Sequence, residues 1–108
     1  MDTHARLVMV ITTIASHQEA EALAAALIEH SLAACVQVDG PITSWYRWNG
    51  KVDKAREYRL MIKTTQSAWP TLQEKLVELH PYDEPQIIKI QIDEASEGYR
   101  DWVITQTT

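Results

Sequence analysis

Eight residues near the start, Leu7-Val8-Met9-Val10-Ile11-Thr12-Thr13-Ile14, are apolar or β-branched on both faces of an extended chain, with Leu7, Met9 and Ile11 on one side and Val8, Val10 and Ile14 on the other. A strand of that kind lies in the middle of a sheet and needs cover above and below. With 108 residues, surface scaling allows about two thirds of the unfolded chain's surface to be buried, which is one core and not two. The cover must therefore come from a few helices of the same small domain, or from a second copy of the chain.

The residues that follow supply such helices. Ser16-His17-Gln18-Glu19 has the spacing of a capping box, and Ala20, Leu23, Ala24, Leu27 and Ile28 then recur as a helical stripe, predicting a helix over 17–30. Leu32 to Val38 reads as a strand, Gly40-Pro41 as a bend, and Ser44 to Trp48 as an extended arm entering Asn49-Gly50, the pair favoured at a type I′ hairpin turn. The return arm runs over 52–65, which makes the hairpin long for the domain and its tip a projection. Ser67 is placed to cap a second helix with Pro70 in its first turn and Trp69, Leu72, Leu76 and Leu79 on its apolar side, stopped by His80-Pro81. Ile88, Ile90 and Ile92 alternate through a strand over 86–92, and Tyr99 and Trp102 belong to a short closing helix over 98–103.

The order β-α-β-β-α-β predicts an α+β ferredoxin-like split βαβ sandwich, a single domain over 1–108, with an extended β2-β3 hairpin and a short C-terminal helix. Both main helices of that architecture lie on one sheet face. Because the strands are apolar on both faces, another copy of the chain is expected on the second, so a homo-oligomer is predicted.

The net charge is −5, yet the segment 47–63 holds six bases against two acids. An acidic protein with one local basic stretch is a poor match for nucleic acid or an anionic membrane as main partner, although the stretch could hold a small anion. One cysteine, Cys35, rules out an intrachain disulfide. The apolar run after Met1-Asp2-Thr3-His4-Ala5-Arg6 is too short to span a bilayer and lacks a basic leader, so a cytoplasmic location is expected.

Chemistry-bearing patterns are sparse. His4, His17, His30 and His80 are far apart, no C-x-x-C or H-E-x-x-H occurs, and the isolated Gly40, Gly50 and Gly98 form no phosphate loop. Cys35, at a strand start, reads either as a small buried hydrophobe or as a thiolate nucleophile or soft metal ligand. His80-Pro81-Tyr82-Asp83-Glu84-Pro85 is the densest polar cluster and sits between two stiffening prolines, either as a rigid turn or as the rim of a site. Along the hairpin, Ser44, Tyr46 and Trp48 share one face, Trp45 and Arg47 the other, and Glu57, Arg59, Met61 and Lys63 share a face of the return arm. Lys63, beside Thr64 and Thr65, is a candidate contact for a carboxylate or small anion.

Taken in order, Leu32-Ala33-Ala34-Cys35-Val36, Ser44-x-Tyr46-x-Trp48-x-Gly50-Lys51, Glu57, Ile62-Lys63-Thr64-Thr65, His80-Pro81-Tyr82-x-x-Pro85, Tyr99 and Trp102 resemble the CutA divalent-cation tolerance proteins over nearly the whole chain. The resemblance implies a non-enzymatic cytosolic homotrimer, similar in architecture to the PII signalling proteins, with hairpins interlocking the subunits. It implies an intersubunit ligand cleft of Cys35, Tyr46, Trp48, Lys63, His80, Tyr82, Glu84 and Trp102, and copper (Cu2+) or another divalent metal as ligand, with His80 as metal ligand. Two of the three copper ligands suggested for the family are replaced, because Thr12 stands where a cysteine is proposed and Leu79-His80 where two histidines are. Gln86 and Asp83 stand where the family commonly has Glu. A PII-like trimer that binds a small regulatory molecule is the alternative, followed by an enzyme using Cys35 with His80 as base and by an RNA-binding module, against which Tyr58 to Lys63 lacks the expected aromatic motif.

Overall fold

In the computed structural model, which describes residues 6–108, the chain folds as β1 (Leu7–Ile14), α1 (His17–Glu29), β2 (Cys35–Trp48), β3 (Lys51–Thr65), α2 (Trp69–Leu79), β4 (Ile88–Gln91) and α3 (Glu97–Gln106). His4 and the Met1–Ala5 lead weighed above lie outside the described residues. The strands form one antiparallel sheet in the order β2-β3-β1-β4, with β1 inside as its two apolar faces require. That order together with the β-α-β-β-α-β sequence is the ferredoxin-like split βαβ arrangement. Val8, Val10, Ile14, Leu60 and Ile62 from the sheet meet Ala20, Leu23 and Leu27 of α1 and Leu72 and Leu76 of α2 in the main core. Each such leucine or isoleucine, wholly removed from water, contributes about 2 kcal/mol.

Helix α1 begins as its capping spacing predicts, with the Ser16 hydroxyl accepting from the Glu19 amide at 3.2 Å. For α2 the cap is not Ser67. Residues 65–68 close a turn instead, Ala68 N–H donating to the Thr65 carbonyl at 3.1 Å and to its hydroxyl at 3.3 Å, so the helix starts at Trp69 with Pro70 in its first turn. Strand β2 begins at Cys35 rather than Leu32, because Ser31 at φ 56° turns the chain and Leu32 N–H closes onto the Leu27 carbonyl. Gly40-Pro41 does not break the strand. Pairing passes from Asp39↔Arg59 to Ile42↔Glu57, so two residues of β2 bulge opposite Tyr58 and the ladder resumes. Asn49 and Gly50 both have positive φ, 51° and 75°, as the type I′ turn demands. The resulting hairpin stretches the molecule to 46 Å against 25 and 23 Å in the other directions.

The second sheet face is covered partly by the chain itself. Helix α3, longer than predicted, buries Val103 against Leu7 and Ala34, with Ile92 and Ile104 alongside. Beyond it the register lines up Met9 with Ile90 and Ile11 with Ile88 and Met61, and Ile88 and Ile90 remain 46% and 43% exposed.

On the helix side of β1 sits Thr12, with no exposed surface and a hydroxyl that meets no partner. A buried hydroxyl left unpaired costs 1 kcal/mol or more. Thr12→Val should therefore raise stability by about 1 kcal/mol, read as a thermal midpoint several degrees higher.

Candidate functional site

Where α2 ends, the chain crosses back to the sheet through 80–86, and His80 anchors the crossing. Its ring is buried, 6% exposed. Nε2 lies 2.9 Å from the Thr13 carbonyl and Nδ1 accepts the Tyr82 amide at 3.2 Å, so the tautomer is the one with hydrogen on Nε2. The Tyr82 ring meets the imidazole edge to face with centroids 4.7 Å apart. With both nitrogens engaged, the imidazole presents no lone pair to a metal in this arrangement. The ring is here a peg between β1 and the turn.

Held in this way, Tyr82 points at the hairpin, where its hydroxyl donates to Glu57 Oε2 at 2.7 Å. Glu57 is 7% exposed, paired in register with Ile42 just past the bulge. Among the described residues no Lys, Arg or His nitrogen lies within ion-pair distance of its carboxylate. An open cleft of about 840 Å³ lies between the two walls, with Ser44, Tyr46, Trp48 and Glu57 on the hairpin side and Tyr82, Asp83 and Glu84 on the turn side. Arg47, at the same rim, reaches back towards the Gly50 carbonyl at 3.5 Å.

Four of the eight residues expected in a cleft are thus brought together in one subunit: Tyr46, Trp48, Tyr82 and Glu84. Three others gather elsewhere. Cys35 pairs in register with Lys63, whose ammonium donates to the Gln37 side chain. Tyr99, stacked at a tilt on Trp102 with centroids 5.8 Å apart, has its hydroxyl pushed above the ordinary tyrosine range first by burial and then by the Cys35 thiol beside it. Lys63 is six residues along β3 from Glu57, about 20 Å of extended chain, so within one subunit Cys35, Lys63 and Trp102 do not line the hairpin cleft. Glu57 and Asp83 complete the cleft and were not singled out as site residues from sequence. Glu57 stood among the motif residues, but its place in the cleft is fixed only by the bulge, which sets it opposite Ile42.

Burial, then the hydrogen bond to Glu57 and its negative charge, push the Tyr82 phenol well above the ordinary 10.0. The folded state thus holds this proton more tightly than the unfolded chain. Its contribution to stability is whole below about pH 10, where both states keep the proton, and falls as pH rises further because the unfolded chain alone releases it. Tyr82→Phe should lose that slope, so urea midpoints of parent and variant that differ at pH 8 should converge above about pH 10.

No group of three or more His, Cys, Asp and Glu side chains suited to a metal ion occurs among the described residues. Residues 8–106 match the family described as CutA1 divalent ion tolerance protein. The Divalent-cation tolerance protein CutA of Thermus thermophilus is 41% identical over 99 residues, 92% of this chain and 96% of that protein. Its namesake in Pyrococcus horikoshii is 35% identical over 101 residues, 94% of this chain and 98% of the relative. Among solved structures, CutA1 from Oryza sativa superposes with a TM-score of 0.94 at 33% identity, covering 99% of this chain and 98% of that one.

Proposed function

The chain belongs to the CutA1 divalent ion tolerance family, and on that premise we propose that it acts as a homotrimeric, non-catalytic responder to divalent ions in the cytosol, through ligand binding in the cleft along the outer half of the hairpin. The observation that carries this reading is the pairing of a built cleft with surfaces that one subunit leaves open. Trp45, Trp48 and Val52 on the hairpin are 67%, 52% and 63% exposed, and Ile88 and Ile90 lie uncovered on the sheet. Apolar surface of that extent favours burial against further copies. Cys35 and His80, weighed above as nucleophile and base, do not meet in one subunit: Cys35 pairs with Lys63 at the far end of the hairpin, and the His80 ring is spent on Thr13 and Tyr82.

Copper or another divalent ion would bind where copies of the chain pool oxygen donors from the cleft rim, Asp83 and Glu84, both exposed. Copper's place at the top of the affinity order suits such a site. Native mass spectrometry with and without about one equivalent of Cu(II) per chain tests the reading. A mass near three chains is expected, with a discrete copper count that Asp83→Asn/Glu84→Gln abolishes. A monomer at micromolar concentration, or copper held equally by the double variant, would overturn it.

A further inference from the structure

Glu57 poses a question that a single folded chain does not answer. Its side chain is more than nine-tenths buried, faces a cleft, and has one hydrogen-bond partner, the Tyr82 hydroxyl on Oε2. A carboxylate taken out of water ordinarily has a cation beside it, and among the described residues none is near. The wall against it is the Tyr82 ring on the turn, Tyr46 lines the same cleft further along the hairpin with Trp48 at its outer end, and Asp83 and Glu84 add negative charge at the mouth.

Resting on the reading of this cleft as the ligand site, we propose that it selects a small organic cation, a primary amine or guanidine carried on an apolar or aromatic body, with the cationic head on Glu57 and the body between the aromatic walls. A bare divalent ion is the poorer occupant of this inner position. Hard cations collect six or more oxygens, whereas Glu57 has one oxygen already engaged by Tyr82 and, among the described residues, belongs to no group of three or more acidic, histidine or cysteine side chains suited to a metal. An ammonium needs less. One carboxylate oxygen supplies a charge-assisted hydrogen bond, and the rings of Tyr82 and Tyr46 attract the positive charge while covering the attached carbon skeleton. Tyr82, with its phenol held protonated, donates to Glu57 rather than competing for the cation, and so fixes the carboxylate's orientation. An anionic ligand is disfavoured by three carboxylates against one guanidinium, and Arg47 is drawn back towards Gly50.

Three probes of nearly equal size that differ in charge test the inference: benzylamine, benzyl alcohol and benzoate, titrated into the native assembly by calorimetry at pH 7. Benzylamine is expected to bind at least tenfold more tightly than either of the others. Glu57→Gln, which keeps an oxygen for the Tyr82 hydroxyl and so keeps the fold, should lose that tenfold preference. Tyr46→Ala, at an exposed position that does not support the core, should weaken benzylamine severalfold. Equal affinity for all three probes would overturn the cation selectivity while leaving the cleft a ligand site. Benzylamine binding undiminished in Glu57→Gln would overturn the role of Glu57. If none of the probes binds and Glu57→Gln instead splits the assembly, the counter-ion is a neighbouring subunit's base and the inference falls; the copper count by native mass spectrometry then judges the parent reading separately.

Discussion

His80→Ala is expected to destabilise the fold by about 3 kcal/mol, lowering the thermal midpoint by more than 10 °C. Three losses add up. The Thr13 carbonyl loses its donor and the Tyr82 amide its acceptor, two backbone groups in a region where water does not readily replace the imidazole. The ring also leaves a hole beneath Tyr82, on which it stacks edge to face. His80→Gln, able to reach one of the two partners, should recover part of the loss. The measurement is a thermal melt in the presence of a chelator. If His80 served chiefly as a metal ligand, the melt without metal would be nearly unchanged by the substitution, so a shift of only a degree or two would overturn the structural role. A large shift in chelator, followed by weaker benzylamine binding in the folded fraction, would show the imidazole acting through the position of Tyr82.

The same residue marks where the sequence stops speaking. His80 stands in the densest polar cluster of the chain, which is how a metal ligand looks in one dimension; only the end of α2 reveals that the ring turns inwards under Thr13. Local signals with short reach were legible. The two apolar faces of β1 placed it inside the sheet, Ser16 and Glu19 placed the start of α1, and Asn49-Gly50 placed the hairpin turn. Errors arose where two local preferences competed. Gly40-Pro41 has turn chemistry, yet a sheet that continues on both sides absorbs it as a bulge, and Ser67 is a good cap whose place was taken by the 65–68 turn. The cleft was half legible for a related reason. Tyr46, Trp48, Tyr82 and Glu84 could be grouped from their motifs; Glu57 stood among the same motifs, but its place in the cleft depends on strand register, a long-range quantity, which within one subunit also sets Cys35 and Lys63 at the other end of the hairpin.

Gly40→Ala is the second substitution with a large expected cost, on the order of 3 kcal/mol or more, and its reason lies in that bulge. Gly40 has φ +132°, a conformation essentially confined to glycine, and an added Cβ would stand 2.9 Å from the Glu57 carbonyl oxygen and 3.1 and 3.2 Å from Tyr58 atoms. The close neighbours include backbone, so relief requires opening the ladder where Ile42 meets Glu57. Gly50→Ala separates the two contributions, since Gly50 also has positive φ, 75°, but nothing within 4 Å of its added Cβ. It should cost only about 1 kcal/mol. Gly98→Ala, in the first turn of α3 with no neighbour within 4 Å, should be neutral or stabilise by up to about 1 kcal/mol. The urea midpoints of the three variants should therefore fall in the order Gly98→Ala, Gly50→Ala, Gly40→Ala, from most to least stable. Gly40→Ala alone should also weaken benzylamine binding, because the backbone it displaces carries Glu57. A Gly40→Ala protein as stable as Gly50→Ala would mean that the bulge yields without strain. The position of Glu57 would then owe nothing to the close packing at Gly40, and the hydrogen bond from Tyr82 would be left to hold it.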